Sequence, residues 1–255
     1  QDEGPGFAWG HGTHAAGIIT KIAPQSQLMP VRVLEPNGRG TTLKLALGIE
    51  WAVQNGADVL NISLGTIYYS FLLRDVIRRA EAAGVVVVAA AGNKGQNQIQ
   101  YPAGYASVIG VTAVDAGNIK ASFANFGANW VDLAGPGVGI TSTIIGPQGS
   151  GYASWSGTSM ATPFISGGAA LARQKHPSAT PAAISELLEA AMVDLDALNP
   201  AYASQIGGLL DIGAALAAEP APASVAPDEA PTDQPVTAKA GPLYLPMVSN
   251  LRSNE

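Results

Sequence analysis

The sequence contains no cysteine among its 255 residues. This absence excludes disulfide bonds, catalysis by a thiolate and metal sites built from thiolate ligands. It leaves the compartment open, because a chain without cysteine fits an exported bacterial protein as well as a cytosolic one.

Charged side chains are also scarce, at 13% of the residues, and the formal net charge is −6. The 13 lysines and arginines do not cluster, which argues against a nucleic-acid-binding surface. No apolar run approaches the roughly 18 residues of a membrane-spanning helix, so we predict no membrane span. The hydrophobic share of 47% excludes a chain that is disordered throughout.

Apolar runs alternate with helical patterns along the chain. Four runs predict strands, at residues 28–34, 57–63, 84–91 and 108–114. Four amphipathic stretches predict helices, at residues 41–55, 70–83, 158–175 and 181–192. The third strand is nearly all Val and Ala, as expected for a parallel strand covered on both faces. We therefore predict an α/β fold of three layers, a mostly parallel sheet with helices on both faces.

The composition changes after Ala218, and we predict a domain boundary there. Residues 219–255 contain 7 of the 18 prolines and many alanines, which is typical of an extended linker. The linker ends in a short apolar segment, LYLPMV, at residues 243–248. Residues 1–218 then form the folded domain.

Three short motifs combine small residues with one reactive side chain. They are GHGTHAAG at residues 10–17, VAAAGNKG at residues 88–95 and GTSMATP at residues 157–163. The hydroxyl of Ser159 lies at the predicted start of a helix, where free N–H groups stabilise a developing oxyanion. Ser159 is alternatively a simple helix N-cap, which is a common role for serine.

His11 and Asn93 are the reactive side chains of the other two motifs. A neutral imidazole at His11 is suited to a general base, although a structural, hydrogen-bonded histidine is the simpler alternative. His11 and His14 have the spacing of metal ligands, but no acidic residue accompanies them, so we predict no metal site. The Asn93 amide is suited to donate to an oxyanion, and the alternative is a turn-forming asparagine in the left-handed conformation.

Taken together, the three motifs resemble those of the subtilisin-like serine proteases, the subtilase or peptidase S8 family. The segments VRVLEPNGRGTT, GIEWAVQNGADVLNISLG and YPAGYASVIGVTAVD resemble family segments in the same order, and the resemblance extends from about residue 10 to residue 218. It implies a serine endopeptidase that acts through an acyl-enzyme. Ser159 would be the nucleophile, His11 the general base, and the Asn93 side chain with the Ser159 N–H the oxyanion hole.

The resemblance also implies a binding site for polypeptide substrates in extended conformation. Gly38 and Gly40 on one side, with residues 63–65 (Ser63, Leu64, Gly65) on the other, would pair with the substrate as added strands. Leu64, Ala90 and Gly92 would line a pocket for the residue preceding the cleaved bond. Such a pocket favours apolar or mixed side chains.

The third member of the family's triad, an aspartate on the first strand, has no counterpart here, since only ten residues precede His11. We expect that this segment is missing by truncation, which the intact motifs favour, or by genuine loss. In subtilisin the loss of that aspartate lowers turnover by about 3 × 10⁴. The activity of this chain is therefore expected to be low, and the alternative function is a non-catalytic peptide-binding module.

The family resemblance carries expectations about cofactors and location as well. No inserted loop follows the histidine motif, so a tight calcium site is not expected, although a weak one near residues 101–105 remains open. We expect no other cofactor. The resemblance and the apolar end of the tail together predict a secreted or cell-surface-associated protein.

Overall fold

The computed structural model describes residues 9–146, 149–221 and 242–244. The helices of this part are α1 His11–Ile22, α2 Thr42–Gln54, α3 Phe71–Ala82, α4 Thr158–Lys175, α5 Pro181–Ala190 and α6 Ile212–Ala217. The strands are β1 Arg39–Thr41, β2 Val59–Ile62, β3 Val86–Ala90, β4 Val108–Val114, β5 Leu133–Pro136, β6 Ile140–Gly146, β7 Gly149–Trp155, β8 Met192–Val193, β9 Gly208–Leu210 and β10 Pro242–Tyr244. Within these residues, no helix is both long and apolar enough to cross a membrane.

The central sheet has the strand order β2-β3-β4-β5-β9-β8. Every pair from β2 to β9 is parallel, and only β8 runs antiparallel to its neighbour. Two further pairs lie outside this sheet: the hairpin of β6 and β7, and the antiparallel pair of β1 and β10. The prediction of a mostly parallel sheet is confirmed.

Strand β3 shows how the sheet separates two apolar cores. Val87 and Ala89 pack in one core with α2 and α3, whereas Val86 and Val88 pack in the other with α4 and α5. Successive side chains of a strand point to opposite faces, so a run of Val and Ala serves both cores at once. The three-layer architecture is therefore confirmed.

The predicted helices begin where their capping residues indicate. Thr41, Ser70 and Thr180 each accept a hydrogen bond from the backbone N–H three residues later, and Pro181 occupies the first turn of α5. Such a cap satisfies one of the N–H groups that a helix leaves unpaired at its start.

The predicted strand at residues 28–34 is wrong, because this segment forms no ladder in the structure. Val33 and Leu34 pack against the core of α2 and α3, but Leu28 and Met29 are largely exposed. Within the described residues β2 is an edge strand whose only partner in the sheet is β3. The apolar pattern was suited to a strand, but a strand also requires a neighbour to pair with.

The domain boundary predicted at Ala218 coincides with the C-cap of α6. Most of the predicted linker and of its apolar end lies outside the described residues, so the division stays a prediction.

Candidate active site

Ser159 is the second residue of α4 and is completely buried. The helix is capped by Gly157 without a side-chain hydrogen bond, so the interpretation of Ser159 as an N-cap is wrong. Instead, the Ser159 hydroxyl donates to the carbonyl of Ser63 over 3.1 Å, and the Ser63 hydroxyl donates to the carbonyl of Ser159 over 3.0 Å. This reciprocal pair fixes the start of α4 against the end of β2.

A second layer of hydrogen bonds supports that pair. The side-chain amide of Asn61, on β2, donates to the Ser63 hydroxyl over 3.0 Å. Its carbonyl oxygen accepts from the hydroxyl of Ser166, two turns along α4, over 2.9 Å. Since Asn61 and Ser166 bridge the same two elements, the position of Ser159 is held at two points.

Asn93 is bound to the first residue of α4. Its Oδ1 accepts from the backbone N–H and from the hydroxyl of Thr158, both over 3.0 Å. The hydroxyl of Thr158 in turn accepts from the N–H of Gly92 over 3.1 Å. Asn93 does not have a positive φ, so its interpretation as a left-handed turn residue is wrong. Two hydrogen bonds to Oδ1 therefore join the Asn93 side chain to the residue that precedes Ser159.

His11 is the first residue of α1, directly after Gly10, whose φ of 80° lies in the left-handed region that favours glycine. Only 6% of His11 is exposed, and its Nε2 has no hydrogen-bond partner among the described residues. Its ring stacks near that of Trp155, with the centroids 6.4 Å apart.

His14 has a different environment, although it lies on the same helix. Its Nε2 lies 3.0 Å from the carbonyl of Ile140 and 3.1 Å from that of Ala153, and its ring stacks on Trp155 at 4.8 Å. His14 is thus a structural histidine that joins α1 to the β6–β7 hairpin. The described part of the chain holds no group of three or more His, Asp or Glu side chains that could bind a metal. The weak calcium site near residues 101–105 stays a prediction.

Burial controls the protonation of His11. The loss of solvation, with a smaller contribution from the neighbouring His14, lowers the pKa of its imidazole from 6.5 to about 4. His11 is therefore neutral at pH 7, which is the form that accepts a proton. No carboxylate among the described residues contributes to this pKa, so nothing there stabilises the imidazolium that proton transfer would produce.

Asn93 and Ser159 adjoin at the start of α4, and His11 lies at the start of the neighbouring helix α1. Trp155, which stacks with His11, precedes Ser159 by only four residues. Helix α1 also packs along α4, where Gly167 lies against Ile22. The Ser159 hydroxyl donates to Ser63, and the Nε2 of His11 has no hydrogen-bond partner among the described residues.

The predicted substrate-binding residues fall into two groups. Ser63 contacts Ser159 directly, and Gly92 contacts Thr158, so these two adjoin the predicted nucleophile. Leu64 is buried in the core with α2 and α3, which leaves its backbone rather than its side chain for the site. Gly40 lies in β1, whereas Gly38 lies in the tight turn before it and has a φ of 76°.

Gln100, which the sequence analysis did not single out, lies against two of the predicted substrate-binding residues, Gly65 and Gly92. A Cβ added at Gly92 would lie 2.5 Å from the side-chain carbon Cδ of Gln100, and one at Gly65 would lie 3.1 Å from Oε1 of Gln100. The Gln100 amide therefore occupies the space against these two glycines. No sequence motif marks it, since it is brought there by the backbone bridge between Thr66 and Tyr101. The bond between Tyr101 and Pro102 is cis.

Comparison with known proteins shows the family to which this fold belongs. A sequence profile of the subtilase family, peptidase S8, matches residues 2–208. The chain belongs to the subtilase family. Subtilisin BL from Lederbergia lenta is 46% identical over 178 residues, which are 66% of this chain and 65% of that protein. An alkaline protease from Shouchella clausii is also 46% identical over 178 residues, but these are only 46% of its length.

Solved structures of subtilases share the fold. A protease from Pseudoalteromonas arctica superposes with a TM-score of 0.75 at 33% identity, covering 81% of this chain and 70% of that one. The match to the curated relatives spans from less than half to about two thirds of their length. Family membership is thus established for this subtilase domain, whereas its own activity is inferred below.

Proposed function

We propose that this subtilase domain is a serine endopeptidase that hydrolyses peptide bonds through an acyl-enzyme on Ser159. The observation that carries the proposal is the coupling of Asn93 to the first turn of α4. Oδ1 of Asn93 accepts from the backbone N–H and the hydroxyl of Thr158, the residue before Ser159, which holds the Asn93 side chain at the start of α4. The amide of Asn93 and the backbone N–H of Ser159 are the proposed donors to the oxyanion. Preorganised donors of this kind stabilise the charge that develops on a carbonyl oxygen under attack.

His11 is proposed as the general base of the reaction. It would take the proton of the Ser159 hydroxyl, which leaves its bond to Ser63 as the oxygen attacks the substrate carbonyl. The imidazolium would then give the proton to the leaving amine. The lowered pKa of His11 makes it a weak base, and no described carboxylate assists it. We therefore propose a low turnover for this chain.

The proposed substrate is an extended polypeptide bound between Gly38 and Gly40 on one side and residues 63–65 on the other. The side chain that precedes the cleaved bond would enter the pocket beside Ala90, Gly92 and Gln100. Since the Gln100 amide already fills space against Gly65 and Gly92, small side chains fit this pocket better than large ones. The subtilisin relatives further support export of the protein, to the medium or the cell surface.

Labelling with a fluorophosphonate probe tests the proposed chemistry, because the probe bonds covalently to an activated serine. We expect slow labelling of the full chain and none of Ser159→Ala. Ser156→Ala is the matched control, since it removes a hydroxyl three residues earlier that bonds only the N–H of Gly139.

The second candidate is a non-catalytic module that binds extended peptides. It is favoured by the His11 imidazole, whose Nε2 lacks a hydrogen-bond partner among the described residues. Binding of a peptide without any labelling of Ser159 would support this module and contradict the endopeptidase.

A further inference from the structure

The C-terminal part of the chain returns to the domain and adds a strand to it. Pro242–Tyr244, as β10, runs antiparallel to β1, with Arg39 opposite Tyr244, Gly40 opposite Leu243 and Thr41 opposite Pro242. The two strands form a sheet of their own, separate from the central sheet. The chain itself thus supplies an extended peptide to the strand that contains Gly40.

The turn before β1 determines which backbone groups face β10. The carbonyl of Arg39 accepts from the N–H of Glu35 over 2.8 Å, and the N–H of Arg39 donates to the side chain of Asn37 over 2.9 Å. Both groups of Arg39 therefore face the turn. Since the N–H and C=O of successive strand residues point to opposite sides, those of Gly40 face β10.

The register of β10 is consistent with this assignment. If Gly40 and Leu243 exchange backbone hydrogen bonds, then Pro242 lies opposite Thr41 in a position that requires no N–H. Proline has no N–H to donate, and such a position is where a strand tolerates it.

From this pairing we propose that the C-terminal segment is an intramolecular peptide ligand that occupies the Gly40 edge and competes there with extended polypeptides. The inference rests on the proposed function, in which Gly38 and Gly40 pair with the substrate. Gly40 has a single N–H and a single C=O, and these cannot form ladder hydrogen bonds with two strands on the same side. Occupation by β10 and binding of a substrate strand at Gly40 are therefore mutually exclusive.

The length and composition of the intervening chain permit this return. Residues 222–241 separate α6 and its following turn from β10, and 20 residues can span up to roughly 66 Å. A tether of this kind gives the segment an effective concentration on the order of millimolar. A short strand can therefore compete with a free peptide that binds more tightly.

The sequence of the segment suits the proposed peptide site. PLYLPMV, residues 242–248, contains no charged side chain. The pocket residues Ala90 and Gly92 are likewise uncharged, so the segment has the composition of a peptide that this site would accept.

The absence of cysteine makes the pairing directly testable. In the double variant Arg39→Cys with Tyr244→Cys, the two residues are opposite each other in a non-hydrogen-bonded pair, where Cα atoms lie about 4.5 Å apart and a disulfide fits. The matched control combines Arg39→Cys with Ala240→Cys, four residues out of register. We expect the first pair to form an intramolecular disulfide at least tenfold faster under mild oxidation.

Electrophoresis without reductant distinguishes a crosslinked monomer from a crosslinked dimer and gives the rate at which each forms. A crosslinked monomer formed faster than the control supports the proposal. Equal rates for the two pairs contradict it, and so does a crosslinked dimer, because the ligand would then come from a second copy of the chain.

Peptide binding tests the competition without requiring catalysis. The probe is a fluorescein-labelled peptide of sequence PLYLPMV, and fluorescence anisotropy gives its Kd. Leu243→Pro removes the N–H that faces Gly40, whereas Ala238→Pro changes the chain before β10. We expect Leu243→Pro to bind the probe at least tenfold more tightly than the unsubstituted chain does. Ala238→Pro should have the same Kd as the unsubstituted chain. An unchanged Kd in Leu243→Pro would overturn the proposal.

The same variants separate this inference from the proposed function. If Leu243→Pro tightens peptide binding and accelerates fluorophosphonate labelling, both are supported. If binding tightens while no variant is labelled, the tail is an intramolecular ligand of a peptide-binding module and the endopeptidase proposal fails alone.

Discussion

The two halves of the candidate site differ in how firmly they are held. On the serine side, Ser159 is hydrogen-bonded to Ser63 and the adjacent Thr158 to Asn93, so hydrogen bonds join the start of α4 to the end of β2 and to the loop after β3. On the histidine side, His11 is equally buried, but its Nε2 has no described partner and it is held mainly by packing near Trp155. The comparison teaches that burial alone does not organise a catalytic group, since hydrogen bonds fix the orientation of one half and not of the other.

The largest effect is expected on the serine side. Asn93→Leu removes the amide donor and also the acceptor of Thr158, so we expect the rate of fluorophosphonate labelling to fall by about 10²–10³. Asn97→Leu makes the same change at an exposed position in the same loop and should leave the rate unchanged. Equal losses of rate in both variants would contradict this prediction, because a change in the loop rather than the loss of the Asn93 donor would then explain the slower labelling.

A smaller loss is expected on the histidine side. In subtilisin, losing the histidine costs about 2 × 10⁶ in turnover and losing the aspartate about 3 × 10⁴, so a histidine without its carboxylate retains a contribution of about 10². We therefore expect His11→Ala to slow labelling by about 10². The remote His176→Ala is the control. A loss near 10⁶ would show that His11 has an effective partner after all.

The pH dependence of the labelling rate should follow the protonation of His11. Because only the neutral imidazole accepts a proton, we expect a constant rate from pH 8 to about pH 5 and half of it near pH 4. This inflection should disappear in His11→Ala, and a midpoint near 6.5 would contradict the prediction. The lowered pKa of His11 also affects stability. Its neutral imidazole contributes to the free energy of unfolding above pH 6.5, and this contribution is lost as the pH falls from 6.5 toward 4.

The smallest effect concerns the choice of substrate. Gln100→Gly opens the space against Gly65 and Gly92, so we expect the ratio of kcat/KM for peptides with Phe over those with Ala before the cleaved bond to rise about tenfold. Gln98→Gly, at an exposed position of the same loop, should leave the ratio unchanged. An unchanged ratio in Gln100→Gly would place the pocket elsewhere.

The sequence predicted the parts of the fold that depend on local patterns. Strand β4 and helix α4 have the predicted bounds, since the periodicity that predicts them acts within a few residues. The serine motif also placed Ser159 at the start of a helix.

Long-range pairing accounts for what the sequence could not predict. Residues 28–34 have the composition of a strand but no described neighbour to pair with. Gln100 reaches the pocket only because Tyr101 bridges to Thr66, 35 residues earlier. The return of Pro242–Tyr244 to β1 spans two hundred residues and carries no local signal beyond an apolar composition.

Thr41 has a position with a further consequence, because it is both the last residue of β1 and the N-cap of α2. A peptide that pairs with β1 restrains the backbone on which the first turn of that helix is built. Amide hydrogen exchange at residues 42–45 therefore slows when the strand is covered and quickens when it is bare, which makes the beginning of α2 a built-in reporter of peptide occupancy that needs neither a label nor turnover.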